Sequence, residues 1–116
     1  METISTRALE AFNREPVALN CAQAVVEAYE LTTGRTVGAL ADFKPHGGGR
    51  APGNECGALY AACQCMPDEA EALRAGFGKI LGAGQCRTLK RELRVSCDTC
   101  VQTAVVLLAE ADARRR

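Results

Sequence analysis

Apolar residues recur along this chain at intervals of three and four, the spacing of one face of a helix. No stretch alternates apolar and polar residues long enough to predict a strand. Over residues 4 to 13 the apolar positions are Ile4, Leu9 and Phe12, which predict a first helix. A second is predicted over 17 to 33, with a stripe of Cys21, Ala24, Val25, Ala28 and Leu31 or Thr32. Asn20 followed by Gln23 reads as a capping box that starts the regular helix at Cys21. Pro16 offers an earlier start, and Gly34 ends the helix.

The patch Val37 to Phe43 has room for a helical turn, after which Pro45, Gly47 to Gly49 and Pro52-Gly53 break the chain. Asn54 is the expected cap of a helix with Cys56, Leu59, Tyr60 and Cys63 along one face. Pro67-Asp68-Glu69 suits the first turn of the next helix, whose buried face reads Leu73, Phe77, Ile80 and Leu81. Gly82 and Gly84 stop it. A short helix from about Cys86 to Leu93 follows. Ser96 then caps a last helix that turns Cys97, Val101, Ala104, Val105 and Leu108 to one side. The expected fold is all-α, a compact bundle of five or six short helices forming one cysteine-rich domain over residues 1–116.

Composition sharpens this picture. Hydrophobic residues make up 47% of the chain but aromatics only 4%, so the core must be built from Ala, Val and Leu, which favours closely packed helices. Fourteen basic residues balance fourteen acidic ones, leaving no global field for nucleic acid or an anionic membrane. The cluster Arg114-Arg115-Arg116 reads as a solvated end. No apolar run approaches the roughly 18 residues that span a bilayer. The opening METISTRALEAF lacks the basic-then-apolar build of an export signal, and a cytoplasmic location is expected.

That location gives the cysteines their meaning. There are seven, at 21, 56, 63, 65, 86, 97 and 100, an odd number and a high density for a reducing compartment. The pattern points to metal binding or thiol chemistry rather than disulfide staples. Cys21, Cys56, Cys86 and Cys97 each fall in a predicted first helical turn, where free amides and the helix dipole stabilise a thiolate. Cys56 and Cys63 stand about 10 Å apart along one helix, too far for a disulfide. Cys63 and Cys65 lie on different sides of that helix and read as packing or surface residues.

Cys97-Asp98-Thr99-Cys100 is a C-x-x-C at a helix start, an arrangement suited to dithiol redox work, though without the strand of a thioredoxin-like unit. The paired spacings of zinc ribbons and the runs of ferredoxins are absent. Any metal site must therefore gather cysteines remote in sequence. The glycine-rich run lacks the Gly-Lys-Ser/Thr of a phosphate loop. His46 reads as a solvent-exposed side chain rather than a ligand, and Arg50 as surface charge. With one histidine and no constellation of carboxylates, hydrolase or transferase chemistry has no visible machinery.

The stretches Asn20-Cys21-Ala22-Gln23-Ala24-Val25, Gly47-Gly48-Gly49 and Cys56-Gly57-Ala58-Leu59, with single cysteines at 86 and 97, resemble the C_GCAxxG_C_C family of redox-active proteins. The resemblance spans roughly residues 18 to 108. By position it assigns the family's four cysteines to Cys21, Cys56, Cys86 and Cys97. Ala61 stands where the family has glycine, the stretch between Cys63 and Phe77 is short, and Cys63, Cys65 and Cys100 are extra.

Three readings stay open. The four cysteines hold an iron–sulfur cluster or other thiolate-bound metal for electron transfer, with a redox protein as partner. Or two of the four, or Cys97 with Cys100 as the catalytic pair, cycle between thiol and disulfide, which would make the chain an oxidoreductase. Or the cysteines fill the core of a non-catalytic helical module, a homodimer among its forms.

Overall fold

The structure is a computed structural model that describes residues 3–15, 19–47 and 50–114. Five α-helices carry it: α1 (Ile4–Phe12), α2 (Cys21–Thr33), α3 (Gly57–Cys65), α4 (Ala70–Leu81) and α5 (Cys97–Arg114). A 3-10 helix at Leu40–His46 and a π-helical turn at Thr88–Glu92 bring the count among the described residues to seven. Single 3-10 turns at Pro52–Asn54 and Pro67–Glu69 lead into α3 and α4. The expectation of an all-α fold holds, with one or two more helices than anticipated. Pro16 as a helix start, Gly48 and Gly49 of the glycine run, and Arg115 and Arg116 lie outside the described residues.

Helix α2 lies at the centre, packed against α1, α3 and α5, while α3 and α5 also meet each other and α4. Close contact is possible because the facing residues are small: Ala8, Ala22, Ala28, Ala58, Ala61 and Ala62 have no exposed surface. Tyr29, Leu59, Phe77, Leu89 and Leu108 fill the larger spaces. At the far end of the molecule the buried Asp112 accepts a hydrogen bond from Arg35 at 2.9 Å, and Arg35 also donates to the Tyr29 hydroxyl at 3.1 Å. The carboxylate is therefore buried with a partner, as burial requires.

The predicted faces need correction at their ends. Leu31 is 63% exposed and Thr32 is also exposed, while Ala22, Val26 and Tyr29 are buried on α2. With α1, α3 and α5 around it, this helix buries more than one stripe. On α4, Leu73 and Phe77 are buried and Leu81 is partly buried against the core, but Ile80 is 58% exposed; the helix ends at Gly82 in the left-handed region, φ 94°. On α1 Ile4 is buried as expected, together with Ala8 and Ala11, while Leu9 and Phe12 are half-buried. Pro45 does not break the chain: it lies inside the 3-10 helix, whose short run tolerates a missing N–H.

Candidate thiol centre

Each cysteine is positioned by a local device. Cys21 opens α2 behind a complete capping box. The Asn20 side-chain oxygen accepts from the Gln23 amide at 2.8 Å, and the Gln23 side chain accepts from the Asn20 amide at 3.1 Å. The same two side chains reach further, Asn20 donating to the Lys44 carbonyl and Gln23 to the Leu40 carbonyl, each at 2.9 Å. The cap thus fastens the 3-10 helix to the start of α2. Gly47 leaves room for it, since a Cβ there would lie 2.8 Å from the Asn20 side-chain nitrogen.

Cys56 is itself the N-cap of α3, a role expected of Asn54. Asn54 instead sits at φ 59° inside the preceding turn, a left-handed conformation that asparagine adopts more readily than most residues. The Cys56 amide donates to the Gly84 carbonyl at 2.8 Å, and Glu55 pairs with Gln85 in an isolated antiparallel bridge. A two-bonded Arg74–Glu55 ion pair, at 2.8 and 3.1 Å, anchors the same segment to α4. These contacts set Cys56 beside Cys86, which follows the Gly82 turn and leads into the π-helical turn. Gly57 completes the junction. A Cβ there would stand 2.5 Å from the His46 carbonyl oxygen and 2.7 Å from Cys21 Sγ, so only glycine lets α3 begin against Cys21. Cys97 opens α5, where Ser96 Oγ accepts from the Thr99 amide at 3.2 Å.

The outcome is one small cavity of about 20 Å³ lined by Cys21, Cys56, Cys86, Cys97 and Cys100, with Leu89 and Lys90. All four cysteines singled out in the sequence meet there. Cys100 joins them as a fifth, and Lys90 closes the rim. Cys56 and Cys100 are buried, whereas Cys21, Cys86 and Cys97 are half-buried. Lys90 was missed as a member of this group, and Cys100 entered the sequence reading only as the dithiol partner of Cys97; each had a spacing signal. Cys100 follows Cys97 by three residues on one helix, and Lys90 follows Cys86 by four.

The electrostatics divide the thiols. A hydrogen bond to Cys100, with burial second, pushes the Cys56 thiol far up, against the pull of the Leu59 and Ala58 amides. The same hydrogen bond draws Cys100 down in spite of its burial. Of the pair, Cys100 is therefore the readier to ionise. Desolvation raises Cys86, helped by Cys56 and opposed by Lys90. Lys90 Nζ donates to Cys97 Sγ, and that bond raises the lysine above its ordinary value.

Cys63 and Cys65 stand apart from this group. Cys63 is buried in the core, its Sγ 3.8 Å from the Ala70 carbonyl oxygen, and burial pushes its thiol up to about 11. Burial pushes Cys65 up to about 12, with Glu30 adding to it. Both are packing residues, as their spacing suggested. His46 is half-buried rather than exposed: its ring lies 4.6 Å from that of Tyr60, and its Nδ1 is buried with no hydrogen-bond partner among the described residues. Arg50 is exposed and donates to the Gly47 carbonyl at 3.0 Å.

The donor set suits a soft metal, because thiolates are the ligands of iron–sulfur clusters and of thiophilic ions. Its spacing is more selective. Among the described residues no three His, Cys, Asp or Glu side chains are placed to hold one metal ion. A volume of about 20 Å³ holds little more than one water-sized group. Compared with protein-family models, curated proteins and solved structures, the chain matches none.

Proposed function

We propose that this is a redox protein whose working part is the five-cysteine cavity. One observation carries the reading: thiols from four separate segments, spread from residue 21 to residue 100, line a single small space. Core packing alone gives no reason for five sulfurs to meet, and it describes Cys63 and Cys65 well enough without them. Cys21, Cys56, Cys86 and Cys97 would hold an iron–sulfur cluster or other thiolate-bound metal, which when bound supplies one-electron transfer. The resemblance to the C_GCAxxG_C_C family supports the same four. The chain's own contribution is to pre-place the sulfurs at helix starts, exclude water with Leu89 and Gly57, and set a cation, Lys90, against the negative charge that thiolates gather.

A second reading rests on Cys56 and Cys100 lining the same small cavity. Two thiols lining one cavity can form a disulfide: both S–H bonds break, one S–S bond forms, and two protons and two electrons pass to a disulfide-bearing partner, which leaves as a dithiol. The lowered Cys100 favours it. This reading makes the chain an oxidoreductase without metal.

Anaerobic reconstitution with iron and sulfide separates the two. A brown protein with stoichiometric iron and sulfide, lost in Cys21→Ser or Cys56→Ser but kept in Cys65→Ser, is the expected result. A colourless protein that reversibly loses two titratable thiols on mild oxidation transfers the proposal to the dithiol. Seven thiols that neither load metal nor form a disulfide reversibly would overturn both.

A further inference from the structure

Outside the thiol cavity lies a wider concavity of about 680 Å³ that shares Cys86 and Lys90 with it and is otherwise bounded by Asn54, Gln85, Arg87 and Arg91. It is the broad approach from solvent to the half-buried edge of the centre. Its charge is unlike that of the molecule. The chain as a whole is neutral, yet residues 86–94 carry Arg87, Lys90, Arg91 and Arg94 against the single carboxylate Glu92.

Elsewhere arginines are engaged: Arg14 with Glu27, Arg35 with Asp112 and Arg74 with Glu55. Neither Arg87 nor Arg91 makes an ion pair or side-chain hydrogen bond among the described residues, and both are exposed. Next along the chain Leu93 is 44% exposed, and Arg94 is held at φ 54°, one of two non-glycine residues with positive φ among the described residues. Unpaired, exposed arginines lining a concavity have the composition of a protein-docking surface rather than of a neutral solvated face.

We propose that this cationic concavity is the docking face for an acidic surface of a redox partner protein, which thereby reaches the centre through Cys86. The inference rests on the redox reading above and adds the partner's chemistry and the point of contact. Electron-transfer complexes are small and short-lived, and opposite charge supplies their encounter rate and orientation. A neutral protein that concentrates unpaired cations over the exposed edge of its thiols has the features such an encounter needs.

Two measurements test it. In the first, hexaglutamate is titrated into the metal-free full chain and followed by amide NMR, with hexalysine as the control. Saturable shifts confined to Asn54 and residues 85–94, lost in 0.5 M salt and in Arg87→Glu/Arg91→Glu, are expected. Shifts spread over cations all around the molecule, or unchanged in the double variant, overturn the proposal. In the second, the reduced protein is oxidised by ferricyanide, an anion, and by hexaammineruthenium(III), a cation.

The double charge reversal should lower the ferricyanide rate roughly tenfold at low salt and raise the hexaammine rate, within the range that electrostatic steering commands. Equal effects on both oxidants, or none, count against it. Should the double variant not fold, opposite salt dependences of the two oxidants on the native chain decide the matter in the same way. Peptide binding needs no redox activity. A chain that binds hexaglutamate here yet neither loads a cluster nor cycles a disulfide thus marks failure of the redox reading, whereas a redox-competent chain without charge preference marks failure of the docking face.

Discussion

Gly57 shows most directly how a single residue sets the chemistry of this centre. Its missing Cβ lets the start of α3 lie against both the His46 carbonyl and Cys21 Sγ. The backbone at His46 cannot swing aside as a side chain would, so Gly57→Ala is expected to destabilise the fold by about 1–3 kcal/mol, the usual cost of overpacking. It should also push Cys21 outward, seen as faster alkylation of that residue in the native state. A lower urea midpoint without any change at Cys21 would mean that the strain is relieved on the other side. Cys63 and Cys65 make a second test at this scale. Their thiols are pushed from about 9 in the unfolded chain to about 11 and about 12 by burial. The folded state therefore holds protons that the unfolded state gives up, and the stability this represents is whole below pH 9 and declines as pH rises through 11 to 12. Cys63→Ala with Cys65→Ala should flatten the fall in urea midpoint between pH 8 and about 10.5 relative to the native chain. An unchanged slope would place the alkaline loss in lysines and tyrosines instead.

At the scale of elements, the caps were legible in the sequence and the buried faces were only half so. Asn20-x-x-Gln23 and Gly34 fixed both ends of α2, because capping is a local matter of side chain and nearby amide. The outward turn of Leu31 and Ile80 was not legible, since which half of a helix is covered depends on neighbours far along the chain. Cys56 as its own N-cap was missed for a related reason. Asn54 is the better capping residue, but the Gly84 carbonyl and the Arg74–Glu55 pair hold the strand-like entry two residues further on. The Asn20 cap has two separable jobs, which a pair of variants can divide. Asn20→Ala loses both the Gln23 amide and the Lys44 carbonyl, and should cost roughly 1–2 kcal/mol. Asn20→Asp keeps an oxygen for the amide but has no hydrogen to give the carbonyl. It is expected to retain most of the helicity of α2 while loosening the 3-10 helix, so the amides of residues 40–46 should exchange faster in that variant than those of α2. Equal protection in both elements would show that Gln23 alone holds the 3-10 helix.

For the whole molecule, the order in which seven thiols become available follows from where the helices put them. The rim thiols Cys21, Cys86 and Cys97 are half-buried, Cys56, Cys63 and Cys100 are buried, and Cys65 is half-buried but kept protonated at neutral pH. Alkylation requires a thiolate that the reagent can reach. At pH 7.5 iodoacetamide should therefore label the rim trio first and Cys65 slowly. Cys63, 2% exposed in the core, should be labelled at a rate that rises with urea in parallel with global unfolding. Loading of the centre, by metal or by disulfide, changes this map selectively. It binds the folded arrangement and not the unfolded chain, so it must slow labelling at the rim beyond its effect on Cys65, and raise the unfolding midpoint by mass action at the same time. Cys63 then responds only through the midpoint. A loaded protein in which Cys65 is protected as strongly as Cys86 would place the bound group on the opposite face of α3, and the five-thiol cavity would lose its claim to be the working centre.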